Sequence, residues 1–223
     1  MLRIISYLKS RPFKFRFLTI AMILWFILFP FLEGREFGLV ILNVLTSSIV
    51  LFGIYAVSQT KRTVSIGLAL GLPWFVLSWI DILISPLPQI VTLFSTLFLI
   101  LFLAFTAITI LLFILRSTEI GGDILYGAVC IYFLIGGTWS SIYILLERIE
   151  PGSVINNISG VINLSDLVYF SYITLTTLGY GEMVPVTAAA RSLAIIEAIV
   201  GVMYIAIIIS RLVGLFIAKS LKD

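Results

Sequence analysis

Six long apolar runs, residues 17–32, 37–57, 64–80, 90–115, 124–146 and 192–217, constrain this chain more than any other feature. A helix needs about 20 consecutive apolar residues to cover the roughly 30 Å hydrocarbon core of a bilayer. The chain is 61% hydrophobic and 11% charged, whereas a soluble domain carries about 25% charged residues. The fold class expected is therefore an all-α membrane protein with six transmembrane helices. The run at 64–80 is the weakest, being short and holding Pro73. Its Gly67 and Gly71 nevertheless form a G-x-x-x-G pair suited to close helix contact. The basic N-terminus followed by an apolar run has the look of a secretory leader. Its apolar run is long and ends in Phe-Leu-Glu-Gly with no small-residue cleavage site, so it is read as a retained first span.

Lysine and arginine set the orientation. Arg3, Lys9, Arg11, Lys14, Arg16, Lys61, Arg62, Arg116, Arg211, Lys219 and Lys222 fall on one side of the six runs. Only Arg35, Arg148 and Arg191 fall on the other. Both termini are thus expected in the cytoplasm, with the chain multi-pass in the plasma membrane. Glu33, Glu36, Asp81, Glu147, Glu150, Asp166 and Glu182 gather on the outer side, where they favour cations. Histidine is absent and Cys130 is the only cysteine, which removes imidazole chemistry, intrachain disulfides and thiolate metal sites. The small net charge of +3 follows topology and gives no reason to expect nucleic acid. No acid, base and nucleophile set stands at membrane depth, so neither enzyme activity nor a cofactor is expected.

Between the fifth and sixth runs the pattern changes. A long polar loop from residue 147 leads to an apolar stretch at 167–177, about half the length of a span. Leu-Gly-Tyr-Gly-Glu-Met-Val-Pro follows at 178–185. Such a segment cannot cross and return as regular structure. It reads as a re-entrant element, a half-helix starting near Ser165 or Asp166 and an extended return. Irregular backbone at membrane depth survives only when buried in protein or lining a watery path. Gly179 and Gly181 adopt positive φ without steric penalty. Alternating them with Leu178 and Tyr180 lets successive carbonyls turn the same way, while those two side chains point outward against protein. The Thr177 hydroxyl adds an oxygen at the inner end. Such a column of oxygens replaces water around a dehydrated monovalent cation once several chains surround an axis.

Thr177-Leu178-Gly179-Tyr180-Gly181 resembles the selectivity filter of the potassium channel superfamily, usually Thr-Val-Gly-Tyr-Gly, with Leu for Val among bacterial members. The resemblance covers roughly residues 124–217, as outer helix, pore helix, filter and inner helix. It implies passive, single-file conduction of potassium ions, the only ligand expected, bound at Thr177, Leu178, Gly179, Tyr180 and Gly181. It also implies a homotetramer. One strand cannot encircle an ion, and closed fourfold symmetry of identical chains can. Glu182 stands where the family usually has Asp. Ile173 occupies the pore-helix position from which an acid braces that residue in several relatives. Tyr169 is expected to donate its hydroxyl to Glu182 instead. Thr176 completes the support of the filter together with Glu197, an acid inside the sixth run. That acid is expected as a buried carboxyl bonded to Thr, Tyr or backbone. Gly201 matches the glycine where family inner helices often bend, and the alternative reading of it is tight helix packing. Val202, Ile205 and Ile209, at helical spacing, are candidates for an apolar cavity wall and gate.

The chain thus divides into a basic cytoplasmic segment (1–16), a four-helix peripheral bundle (17–116), a pore domain (124–217) and a short cytoplasmic tail (218–223). Four spans before a pore is the layout of voltage-gated channels. The fourth run, however, contains no charge before Arg116, and a sensor needs several stepped charges. Voltage gating by that mechanism is not expected, nor is a soluble regulatory domain. The alternatives are a weakly selective monovalent cation channel and a non-conducting scaffold or sensor that keeps the pore fold.

Overall fold

The computed structural model describes residues 14–32, 34–35, 37–84, 87–117 and 121–220, without the side chains of residues 218 and 219. Most of the basic segment 1–16, including Arg3, Lys9 and Arg11, lies outside the described residues, as do Glu33, Glu36 and Lys222. The helices are α1 (Arg16–Leu32), α2 (Gly38–Ala56), α3 (Lys61–Ile84), α4 (Gln89–Arg116), α5 (Gly122–Ile149), α6 (Leu164–Leu175) and α7 (Ala188–Ser220). Two short strands, β1 (Val154–Asn156) and β2 (Met183–Pro185), complete the described elements. α2 to α5 and α7 are long and apolar enough to cross a membrane. α1 and α6 are shorter apolar helices, and at 1.5 Å per residue the 17 residues of α1 reach about 25 Å.

The weak third run is the one lengthened most in proportion. It forms a helix of 24 residues, a turn longer at each end than 64–80, and it continues through Pro73. Thr60 and Thr63 explain the early start. Each backbone N–H donates to the other's hydroxyl at 3.1 Å, which satisfies two donors ahead of the first turn. The small-residue pair behaves unequally. A Cβ on Gly71 would stand 2.8 Å from Val50 Cγ1, so α2 needs a glycine there, whereas Gly67 makes only ordinary contact.

The chain forms two compact units, residues 1–134 and 135–223, with the boundary inside α5. In the first, α1 packs on α2, and α3 packs on α2 and α4. Two indoles pin neighbouring hydroxyls of α2. Trp25 Nε1 donates to Thr46 at 2.9 Å and Trp79 Nε1 to Ser47 at 3.1 Å. The start of α5 is tied to α1 by the Phe15 N–H on Asp123 Oδ1 at 3.0 Å. The Thr19 hydroxyl on the Tyr126 carbonyl, also at 3.0 Å, adds a second tie.

In the second unit, the buried apolar core joins Tyr143 of α5, Val154, Leu167, Phe170 and Ile173 of α6, Met183 and Ala190. Here the all-α expectation needs an addition. β1 and β2 pair antiparallel, with Val154 opposite Pro185 and Asn156 opposite Met183. The Asn157 N–H extends the ladder to the Glu182 carbonyl at 2.8 Å. The polar loop after α5 is therefore hydrogen-bonded to the segment that follows the glycine-rich strand.

Candidate pore strand and its supports

The half-helix α6 begins two or three residues earlier than a cap at Ser165 or Asp166 would have it. Its N-cap is Asn163, and Asp166 is the third helical residue. The Asp166 carboxylate accepts the Asn163 N–H at 2.9 Å, an arrangement that satisfies a donor and sets a negative charge at the positive helix end.

The other end of α6 builds the strand. The Thr177 N–H donates to the Thr174 carbonyl at 2.9 Å, and the Leu178 and Gly179 N–H groups donate to the Ile173 carbonyl at 2.8 and 3.2 Å. With Thr176 as C-cap, this is a Schellman closure, whose key residue adopts the left-handed conformation and is usually glycine. Here it is Thr177, at φ +56°, the only non-glycine residue with positive φ among those described. Gly179 (φ +46°) and Gly181 (φ +95°) follow at alternate positions. Left-handed residues at every second place turn successive peptide planes the same way, as the sequence led us to expect of the two glycines. The extension of the pattern to Thr177 was not foreseen.

The first N–H groups of the strand are thus spent on α6. Among the described residues, no hydrogen bond reaches the carbonyl oxygens of residues 177–181, and the Thr177 hydroxyl has no partner. The Thr176 hydroxyl instead turns back to the Tyr172 carbonyl at 2.6 Å. Leu178 and Tyr180 point away from the chain's own core, 54% and 70% exposed.

Past the strand, Tyr169 donates its hydroxyl to the Glu182 carboxylate, as expected. We expect Tyr169→Phe to raise amide hydrogen exchange several-fold at residues 182 and 183 while leaving 190–200 unchanged. Equal protection in the two proteins would mean that this bond does not hold the mouth.

Behind α6, two glycines admit it. A Cβ on Gly136 of α5 would stand 2.5 Å from the Tyr172 ring, and one on Gly201 of α7 would stand 2.1 Å from the Leu175 carbonyl oxygen. α7 runs unbroken from Ala188 to Ser220, and Gly201 receives the end of α6. Glu197 lies one turn away on the same buried stripe, 0% exposed. Tyr143 donates to its Oε2 at 2.7 Å, and Ser171 Oγ sits 2.6 Å from its Oε1 and 2.9 Å from the Gly136 carbonyl oxygen. Sequence reasoning expected a buried, bonded carboxyl but did not identify Tyr143, Ser171 or Gly136. A lone acid in an apolar helix signals that partners exist without saying which of many hydroxyls they are. Val202, Ile205 and Ile209 occupy a different face of α7 and are exposed in the single chain. No cluster of three metal-ligating side chains occurs among the described residues.

Comparison with known families gives one match. A family model described as "Ion channel" matches residues 124–218. No match was found among curated proteins or solved structures. The matched segment opens at the start of α5 and closes near the end of α7, so the half-helix, the glycine-bearing strand and the buried carboxyl all lie inside it. Together with the Thr-Leu-Gly-Tyr-Gly strand, this makes residues 124–218 of this multi-pass membrane protein an ion-channel domain of the potassium channel superfamily.

Proposed function

We propose that four copies of this chain form a potassium-selective pore in the cell membrane, each with six spans, a re-entrant α6 and both termini in the cytoplasm. The observation that carries the reading is the division of labour in residues 177–181. Their leading N–H groups close α6, while five successive carbonyls and the Thr177 hydroxyl are left for another ligand. A ring of four such strands supplies oxygens at the field strength and spacing that replace the shell of a potassium ion. The C-terminal end of α6 adds a partial negative charge that favours a cation. A fourfold axis also gives Leu178 and Tyr180, exposed in one chain, a neighbour to pack on. Conduction is passive. α4 carries one charge, Arg116 in its last turn, which supports gating by something other than membrane voltage.

Flux from liposomes holding the purified chain tests the reading. Potassium efflux with sodium excluded is the expected result, from an assembly of four chains by cross-linking. Equal flux of both ions would replace it with a weakly selective cation pore. An intact tetramer without flux would replace it with a scaffold.

A further inference from the structure

The oxygens around Glu197 require more hydrogens than the neighbouring hydroxyls own. Three contacts lie at hydrogen-bond distance: Tyr143 Oη to Glu197 Oε2 at 2.7 Å, Ser171 Oγ to Glu197 Oε1 at 2.6 Å, and Ser171 Oγ to the Gly136 carbonyl at 2.9 Å. Each needs one hydrogen between its two oxygens. Tyr143 brings one, Ser171 brings one, and a backbone carbonyl brings none. The third comes from the carboxyl. The Gly136 carbonyl also accepts the Ser140 hydroxyl at 2.8 Å, so an ionised Glu197 would leave one of the two Ser171 contacts as lone pairs facing each other with no hydrogen between them.

The surroundings agree. Among the described residues, the Tyr143, Ser171 and Glu197 side chains have no other hydrogen-bond partner, and no basic group meets the carboxyl. Tyr143 of α5 is the titratable group that faces it, and α6 offers the neutral Ser171. On α7 itself, Arg191 is directed elsewhere, with Nε donating to the Pro185 carbonyl at 3.3 Å.

We propose that Glu197 is kept as a neutral carboxylic acid and, in that form, is a positioning residue that joins α5, α6 and α7. Its Oε2 accepts from Tyr143, its own O–H donates to Ser171, and Ser171 donates to Gly136. Ser171 lies two residues before Ile173, whose carbonyl receives the N–H groups of Leu178 and Gly179. The relay therefore holds the turn of α6 from which the strand 177–181 departs. Its importance for conduction rests on the pore reading above, but its protonation does not.

The test uses the full chain reconstituted in lipid. The infrared difference between wild type and Glu197→Gln is expected to lose the carbonyl stretch of a protonated carboxylic acid. Loss of a carboxylate band pair instead overturns the proposal. Glutamine offers the same acceptor for Tyr143 and a donor for Ser171. Amide exchange at residues 172–179 is thus expected to stay at the wild-type rate in Glu197→Gln. It is expected to rise about tenfold or more in Glu197→Ala, the scale of a buried hydroxyl left without its partner. Ser171→Ala serves if Glu197→Ala does not fold, with the same rise expected. Unchanged exchange in the alanine variant, or an equal rise in the glutamine variant, overturns the positioning role. These readouts do not depend on flux, so a chain that fails to conduct would refute the pore reading while still deciding this one.

Discussion

Gly201→Ala is expected to abolish most ion flux while leaving the helix that carries it intact. Alanine is a better helix former than glycine by about 1 kcal/mol, so α7 itself gains. The loss comes from across the contact. The new Cβ would stand 2.1 Å from the Leu175 carbonyl oxygen, against 3.4 Å for ordinary contact, and the obstructing atom is backbone with no rotamer to escape into. α6 must therefore retreat by more than an ångström at the end that launches residues 177–181. Overpacking of this kind costs about 1–3 kcal/mol, and about 1.4 kcal/mol is a factor of ten. A tenfold or greater fall in potassium flux, with a lower thermal midpoint, is the result that fits. Gly201→Ala with wild-type flux and stability would mean that α6 does not dock there, and that the glycine serves bending after all.

Thr177 provides the second large effect, and there stability and activity should part. A β-branched residue at φ +56° is strained by about 1–2 kcal/mol relative to glycine, the usual occupant of a Schellman closure. Glycine, in turn, makes the unfolded chain more flexible, at a cost of about 0.5–1 kcal/mol. Thr177→Gly is thus expected to hold or slightly raise the melting temperature while removing the one side-chain oxygen beside the free carbonyls. Thr177→Val keeps the branched shape and the strain and removes only the hydroxyl. Both variants are expected to conduct potassium at least about tenfold more slowly, the scale of losing a charge-assisted oxygen contact. If both conduct like the wild type, the hydroxyl is not a ligand. If only the glycine variant fails, backbone stiffness matters there and the oxygen does not. Strain kept at a site where a relaxed residue is available points to use of that residue.

Much of the fold could be read from the sequence because hydrocarbon demands long apolar runs and little else does. Five of the six runs became helices long enough to cross, and the sixth, α1, is short by a few residues. The errors fell where local chemistry overrode hydropathy. Hydropathy alone did not register the Thr60–Thr63 exchange that starts α3 early, or the Asn163 cap that moves the start of α6. Tyr169 and Glu182 could be paired because both lie on one short segment around one turn. The partners of Glu197 could not, since Tyr143 lies 54 positions away on another helix and nothing in the spacing singles it out. For Gly201 the sequence left bending and tight packing open, and the close contact lies with Leu175.

The five unclaimed carbonyls have a consequence for biogenesis. A solitary chain in lipid would present that row of polar main-chain oxygens, with Tyr180 beside it, to a solvent that offers no donors, and bilayers do not tolerate such an edge. On the proposed fourfold assembly, maturation of the strand and recruitment of sister copies are a single event governed by mass action, so dilution into excess lipid is expected to lower the apparent melting point.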